Sequence, residues 1–158
     1  SDIIFGAQNE WEIASGVPHI PFEALDENYV IDREAYLSYF RKMHRLFPKC
    51  KKMVMAVRNQ IASSHHTLSG LLYDAVEDQL YTTRIYDIQP IVDPMGVGDA
   101  FIAAYIHAHQ KWGDENQYCL DFSLSASAIK NTVPGDQNLV SEEEIINNMT
   151  SSGGRIQR

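Results

Sequence analysis

The chain has 158 residues, of which 44% are hydrophobic and 22% are charged, and its formal net charge is −8. This length and composition are those of one ordinary globular domain. The negative charge argues against nucleic acid or an anionic membrane surface as a partner, and no stretch approaches the roughly 20 apolar residues that span a bilayer. Cys50 and Cys119 are isolated from each other in sequence, so we expect two free thiols and a cytoplasmic location.

The first third of the chain predicts, in order, a strand, a helix, a loop, a longer helix and a second strand. Asp32 is a favoured helix cap, and apolar residues follow it at spacings of three and four. The second strand is nearly all apolar, which is typical of a strand buried on both faces. The predicted elements are strand 2–6, helix 11–15, loop 17–29, helix 32–47 and strand 52–57.

The rest of the chain predicts an antiparallel pair of strands followed by three helices. Ser141 and Glu144 form a capping box for the last helix. Residues 151–158 carry no core pattern, so we expect a flexible tail after one domain of residues 1–150. The order of elements indicates an α/β domain in which a sheet of about four strands lies between helical layers. The predicted elements are strands 67–73 and 79–86, joined through 74–78, and helices 99–112, 115–130 and 142–148.

A glycine-rich turn between residues 93 and 99 carries the strongest chemical signal. Gly96 and Gly98 remove the side chains that would keep an anion from the backbone, and the following helix directs unpaired N–H groups outward. A phosphate group can bind there. Asp99 would place a carboxylate beside it, where a base that deprotonates an attacking hydroxyl should lie. The alternative is a plain loop in which Asp99 caps the helix.

This turn, Asp-Pro-Met-Gly-Val-Gly-Asp-Ala-Phe over residues 93–101, resembles the signature D-T-x-G-A-G-D-x-F of the ribokinase-like (PfkB) sugar kinases. Residues 9–12 (Asn-Glu-Trp-Glu) resemble the N-x-x-E motif of that family. Residues 130–136 (Lys-Asn-Thr-Val-Pro-Gly-Asp) are similar to the segment that closes over the adenine and a monovalent-cation site. Local phrases at 57–64 and 134–140 are most similar to the 2-keto-3-deoxygluconate kinase branch.

The resemblance runs through nearly the whole chain but covers only the C-terminal half of such an enzyme. It implies a ribokinase-like three-layer α/β/α sandwich, of which this chain supplies the C-terminal part of the sheet and its helices. A missing N-terminal half or a companion chain should then complete the protein. We expect the isolated half to be inactive.

Within the turn, the resemblance makes Asp99 the catalytic base. The backbone N–H groups of Gly96, Val97 and Gly98 would form an anion hole for the transferring phosphoryl group. Val97 stands where the family usually has alanine, a change that backbone amides tolerate.

A monovalent-cation site is the next feature that the resemblance implies. Asp93 resembles a ligand of that cation, and the carbonyl groups of Lys130, Val133 and Gly135 fall where the other ligands come from. Proline and methionine follow Asp93 where the family has threonine, so a threonine hydroxyl is lost. The alternative is an aspartate that only stabilises its turn.

The remaining assignments concern the nucleotide and its metal. Asn9 and Glu12 are three residues apart and share a helix face, where they would hold Mg²⁺ through water; the alternative is a helix cap with a solvated glutamate. Arg58 could contact a nucleotide phosphate or the acid group of a sugar, or pair with a surface carboxylate. Ser127 and Asn131 lie on the helix expected beside adenine, or simply form a helix end. The full set assigned to nucleotide binding is Asn9, Arg58, Ser127, Asn131 and Gly135.

The resemblance therefore implies a kinase that uses ATP and Mg²⁺ and leaves a requirement for K⁺ open. Its expected substrate is a primary hydroxyl of a small sugar or sugar acid, foremost 2-keto-3-deoxygluconate. Fructose, ribose or a nucleoside are alternative substrates within the family. An inactive nucleotide-binding fragment or a regulatory module is the alternative outside it. Neither nucleic acid nor a membrane is expected as a partner, and homo-oligomerisation is left open.

Overall fold

The computed structural model describes residues 2–20, 31–135, 140–150 and 155–156. Within these ranges the predicted α/β architecture is confirmed, with one mixed sheet between two layers of helices. The described part of the chain contains six strands, where about four were expected. In chain order the elements are β1 (Ile3–Gly6), α1 (Gln8–Ser15), α2 (Arg33–Leu46), β2 (Lys52–Ala62), β3 (His65–Asp74), β4 (Gln79–Thr82), β5 (Tyr86–Ile88), α3 (Val97–Trp112), α4 (Asn116–Lys130), α5 (Glu142–Thr150) and β6 (Arg155–Ile156).

The strand directions bring three strand ends to one edge of the sheet. The strand order is β1-β2-β3-β5-β6, and β4 also pairs with β3. β1 is parallel to β2, whereas β2 and β5 are both antiparallel to β3. β1, β2 and β5 therefore run in the same direction, and their carboxyl ends lie at the same edge. In open α/β sheets this is the edge at which ligands bind.

The strand predicted over residues 52–57 is longer than expected and forms a hairpin with β3. β2 continues to Ala62, and β3 begins at His65 after a two-residue connection. Beyond Val57 the side chains of β2 alternate between exposed and buried, so the second half of this strand has one face toward solvent. The sequence-based prediction ended too early because it followed only the continuous apolar run.

The single strand predicted over residues 79–86 is two strands, β4 and β5, that pair with different parts of β3. Between them, Thr83 bonds to Gly70 through its backbone N–H at 3.0 Å, and its Oγ1 accepts the Gly70 N–H at 2.8 Å. A Cβ atom on Gly70 would lie only 3.1 Å from the Thr83 methyl group and 3.2 Å from Leu120 Cδ1. The connection between β4 and β5 therefore passes close to β3 at Gly70, which has no side chain.

Each face of the sheet packs against its own helical layer. Alternate residues of β2 point to opposite faces, so Met53 and Met55 join the core beneath α1 and α2, while Val54 joins the core beneath α3, α4 and α5. The predicted burial of this strand on both faces is confirmed. The largest fully buried side chains come from both layers and include Tyr36, Phe40, Tyr105, Phe122 and Leu120.

Two helix starts follow capping signals in the sequence, and two other helices begin earlier than predicted. Asp32 caps α2 as predicted, and its side chain accepts a hydrogen bond from the Ala35 N–H at 3.1 Å. At the start of α5, the Glu144 N–H donates to Ser141 Oγ at 3.2 Å. α3 begins at Val97, two residues earlier than predicted, because Gly96 takes the cap position. α1 begins at Gln8, three residues earlier than predicted, because Ala7 takes the cap position.

Both cysteines are buried free thiols, as expected. No helix in the described ranges is long and apolar enough to cross a membrane. Residues 21–29 of the predicted loop, and most of the predicted tail, lie outside the described residues. Within that tail, β6 pairs in parallel with β5.

Candidate active site

Three segments that carry predicted site residues meet at the edge formed by the carboxyl ends of β1, β2 and β5. Asn9 follows β1, Arg58 lies on β2 beyond the end of β1, and the glycine-rich turn follows β5. The segment that leads into the turn is tied to the β2–β3 connection by a hydrogen bond from the Ile91 N–H to the Ser64 carbonyl at 3.0 Å. The sheet topology therefore gathers residues that are about 90 positions apart in sequence.

The first turn of α3 presents unpaired backbone donors. Gly96 is the helix cap, with φ +75° and ψ 5°, and the first helical hydrogen bond runs from the Ala100 N–H to the Gly96 carbonyl at 2.9 Å. The N–H groups of Val97, Gly98 and Asp99 have no protein acceptor among the residues that the structure describes. The sequence-based prediction of the anion hole had Gly96, which is the helix cap, in place of Asp99. Together with the helix dipole, these three donors are suited to bind an anion.

The two glycines of this turn serve different physical purposes. Gly96 has a positive φ that a residue with a side chain rarely adopts. Gly98 lies inside the first helical turn, where glycine costs about 1 kcal/mol relative to alanine. A Cβ atom on Gly98 would have none of the described residues within 4 Å, so no described neighbour requires glycine there. The open space in front of Gly98 is therefore available to a ligand.

Asp99 is the third residue of α3 and is exposed. Because Gly96 holds the cap position and no side chain caps this helix, the alternative of Asp99 as the helix cap is not what the structure contains. Its carboxylate makes no hydrogen bond or ion pair with any described part of the protein. An exposed carboxylate beside three open N–H donors is suited to accept a proton near a bound phosphate.

Two buried side chains at the C-terminal end of α4 support the glycine-rich turn. Ser127 donates a hydrogen bond from its hydroxyl to the Val97 carbonyl at 3.1 Å, and Asn131 donates from its side chain to the Ser127 carbonyl at 2.9 Å. Both residues are only 1% exposed. These residues, which the sequence assigned to nucleotide contact, have protein partners and position the start of α3.

Asp93 joins two loops. Its Oδ1 accepts the Met95 N–H at 2.9 Å, and its Oδ2 accepts the Gly135 N–H at 2.8 Å. These two donors, followed by the smaller effect of the Lys130 charge, hold the pKa of the Asp93 carboxyl below its usual value. The Asn131 carbonyl reinforces the junction by accepting the N–H groups of Val92 and Asp93, at 2.9 and 3.2 Å. Asp93 thus has the turn-stabilising role that was the alternative to cation binding.

The side chain of Lys130 is a feature that the sequence-based interpretation missed, since only its carbonyl group was considered. Lys130 is 0% exposed, and its Nζ donates to the Val133 carbonyl at 3.2 Å. The available signal was a charged residue at the end of a helix whose preceding residues are small or apolar. A buried charge of this kind is unusual unless it is paired.

Asn9 and Arg58 line one cavity of about 320 Å³. Asn9 is the second residue of α1, whose cap is Ala7, so the alternative of Asn9 as a helix cap is not what the structure contains. Arg58 is exposed and forms no ion pair within the described ranges. The complete lining is Ala7, Gln8, Asn9, His19, Ala56, Val57 and Arg58.

Glu12 is half-buried and shares a hydrogen bond with the His19 side chain, which holds the pKa of the Glu12 carboxyl below its usual value. Among the described residues, no cluster of three or more His, Cys, Asp or Glu side chains could hold a metal directly. A single solvated carboxylate fits an ion such as Mg²⁺, which keeps most of its own waters. His19 was not identified from the sequence.

No model of a protein family matches the sequence, and no curated protein sequence matches it. Solved structures do. 2-Dehydro-3-deoxygluconokinase from Thermotoga maritima aligns with a TM-score of 0.79 and 25% identity, over 95% of this chain and 41% of that one. The resemblance to PfkB carbohydrate kinases is thereby confirmed.

Two further structures have the same fold at lower identity. A PfkB family carbohydrate kinase from Listeria grayi aligns with a TM-score of 0.74 and 24% identity, over 95% of this chain and 41% of that one. Ribokinase from Giardia lamblia aligns with a TM-score of 0.62 and 18% identity, over 93% of this chain and 43% of that one. The chain thus has the ribokinase-like fold and spans about two fifths of the length of these kinases, which fits a C-terminal part.

Proposed function

We propose that this chain is the nucleotide-binding and catalytic part of an ATP-dependent carbohydrate kinase. The enzyme would phosphorylate a primary hydroxyl of a small sugar or sugar acid, with 2-keto-3-deoxygluconate as the first candidate. One observation carries the proposal: three unpaired N–H groups at the start of α3 lie beside the exposed carboxylate of Asp99. The kinases among the structural neighbours support the same reaction class.

The start of α3 would bind the terminal phosphate of the nucleotide. The N–H groups of Val97, Gly98 and Asp99 donate to phosphate oxygens, and the helix dipole favours the negative charge. As the phosphoryl group moves, these fixed donors stabilise charge without having to reorganise. The absence of a side chain at Gly98 lets the phosphate approach the backbone.

Asp99 would act as the general base. Its carboxylate accepts the proton of the substrate hydroxyl, while the hydroxyl oxygen forms a bond to the γ-phosphorus and the bond to the bridging oxygen of ADP breaks. Bound Mg²⁺ would neutralise phosphate charge, held through water by Glu12. The chemistry thus requires only positioning, charge stabilisation and one proton acceptor.

The cavity lined by Asn9 and Arg58 would receive another charged part of the ligands. Arg58 is an exposed guanidinium without an ion-pair partner in the described ranges. It can contact either a phosphate group of the nucleotide or the carboxylate of a sugar acid, because a guanidinium binds both in the same forked geometry. If the substrate is a neutral sugar, Arg58 can contact only a phosphate group of the nucleotide.

The rest of a full-length kinase would pack against the edge of β1. β1 is an edge strand, and beside it Ile4, Leu46 and Phe47 line an apolar cavity of about 300 Å³. Leu46 is 51% exposed, which is unusual for a leucine next to an open strand. We expect this chain alone to bind nucleotide weakly and to phosphorylate nothing.

The proposal is tested by measuring ADP release from ATP with the complete gene product against a panel of keto acids, sugars and nucleosides. We expect the highest kcat/KM with a 2-keto-3-deoxy sugar acid. A higher kcat/KM with fructose, ribose or a nucleoside would make that compound the substrate instead. No ADP release above background with any member of the panel would contradict the kinase function and leave a nucleotide-binding module.

A further inference from the structure

Three of the four groups that the family resemblance implies as ligands of a monovalent cation already have protein partners. Both carboxylate oxygens of Asp93 accept backbone N–H groups, from Met95 and Gly135. The Lys130 carbonyl accepts the Val133 N–H at 3.1 Å, and the Val133 carbonyl accepts the Lys130 ammonium at 3.2 Å. The threonine that the family has after Asp93 is a proline here. These residues do not fit a free cation well.

The same residues do fit a positive charge that belongs to the protein. Lys130 is fully buried, so removing its ammonium from water carries a large desolvation penalty. Three features compensate for it: the Val133 carbonyl, the negative end of the α4 dipole at its last residue, and the nearby charge of Asp93. An ammonium group carries the same charge as K⁺ and, like K⁺, is bound by carbonyl oxygens.

We propose that the ammonium group of Lys130 takes the place of the monovalent cation in this protein. Nucleotide binding and folding would then be independent of K⁺. Its consequence for catalysis rests on the proposed function, because the cation site that the resemblance implies would lie beside the glycine-rich turn. It concerns folding as well, and that part can be measured without any nucleotide.

Hydrogen bonds connect Lys130 to the candidate anion site by a short path. A hydrogen bond from the Lys130 ammonium to the Val133 carbonyl closes the turn after α4. Asn131, which follows Lys130 in sequence, accepts the Asp93 N–H with its carbonyl group. The Asn131 side chain bonds to Ser127, whose hydroxyl bonds to the Val97 carbonyl at the start of α3. Loss of the buried charge should therefore loosen both the Asp93 loop and the anion site.

The test compares the complete protein with its Lys130→Ala variant in KCl, NaCl and tetramethylammonium chloride at equal ionic strength. Thermal unfolding without nucleotide is the first readout, and the dissociation constant of an ATP analogue is the second. We expect the wild-type protein to show the same midpoint and affinity in all three salts. We expect Lys130→Ala to unfold at a lower temperature, and K⁺ at about ten times its Kd to restore about 2 °C in a protein of full length.

Lys42→Ala is the matched control, because Lys42 is an exposed lysine of α2. It should resemble the wild type in every salt. If Lys130→Ala does not fold, Lys130→Met, which retains most of the side-chain volume, should fold in all three salts with the same reduced midpoint, since no space for K⁺ is created.

A K⁺-specific rise in the midpoint or in nucleotide affinity of the wild-type protein would overturn the proposal. So would an absence of any K⁺ response in a folded Lys130→Ala variant. Failure of the proposed function would give a different result, because the protein would then bind no ATP analogue in any of the three salts. The unfolding midpoints would still show whether Lys130 replaces K⁺.

Discussion

The N-termini of α2 and α3 solve the same physical problem in opposite ways. Every helix begins with N–H groups that lack an intrahelical acceptor. In α2, the Asp32 side chain accepts one of them from Ala35 at 3.1 Å. In α3 the cap is Gly96, which has no side chain, and the open donors face the edge of the sheet. The comparison teaches that α2 is completed by its own sequence, whereas α3 leaves its donors open for the anion that we propose.

The largest effect should come from Asp99, which has a counterpart in Glu34 because both are acidic residues in the first turn of their helices. We expect Asp99→Asn to lower kcat of the complete protein by about 10²- to 10⁴-fold, since the proton acceptor is lost. Nucleotide affinity should change little because the N–H donors remain. Steady-state kinetics and calorimetric titration with an ATP analogue measure the two quantities.

Glu34→Gln is the control for this substitution, and it should leave kcat at the wild-type value. Equal losses of turnover in both variants would mean that the acidic residue of α3 has no special role. Unchanged turnover in Asp99→Asn would remove Asp99 from the mechanism.

A substitution at Gly98 should separate the stability of α3 from its ligand binding. Alanine has space there, since a Cβ would meet nothing within 4 Å. We expect Gly98→Ala to raise the free energy of unfolding by about 0.5–1 kcal/mol. The same methyl group should lower the affinity for an ATP analogue about tenfold, because it stands where the phosphate approaches. A gain in stability with unchanged affinity would show that no ligand approaches this residue.

The cap of α2 should behave in the opposite manner. Asp32→Ala removes the acceptor of the Ala35 N–H, so we expect the free energy of unfolding to fall by about 1 kcal/mol. Nucleotide affinity should stay the same because α2 does not contribute to the candidate site. Urea unfolding and the same calorimetric titration are sufficient, and a parallel loss of affinity would show that the two helix starts are not independent.

The smallest effect concerns pH and the loop that Asp93 holds against Gly135. Because its pKa is lowered in the folded protein, Asp93 stabilises the fold above its unfolded pKa of about 3.9. That contribution is lost as pH falls through the lower, folded pKa. We expect the stability of the wild-type protein to decline more steeply below pH 4 than that of Asp93→Asn. Identical slopes in urea unfolding between pH 5 and pH 2.5 would show that the hydrogen bonds to Met95 and Gly135 contribute nothing.

Local sequence signals predicted the helices and the glycine-rich turn well, because caps and turns depend on a few adjacent residues. Asp32 is a clear example. The start of α3 was placed two residues late, since the positive φ of Gly96 is not visible in the sequence alone. Even so, the sequence alone identified the residues that form the turn.

Features that depend on distant residues were not predictable. The division of residues 79–88 into β4 and β5 depends on close contact with Gly70, and the length of β2 depends on its pairing with β3. At the candidate site, the Ser127 hydroxyl bonds to Val97, which is 30 residues away in sequence. The Lys130 ammonium bonds to Val133, in the turn that follows its own helix. A side-chain direction of this kind follows from tertiary packing and not from local propensity.

The binding of an anion at the start of α3 is tested most directly by amide NMR on the complete protein, with ¹⁵N-labelled glycine, valine and alanine, titrated with an ATP analogue and Mg²⁺. The account predicts the largest shifts at Val97 and Gly98, together with an unmoved amide of Ala35 in α2. Saturable binding that leaves Val97 and Gly98 unshifted would contradict it.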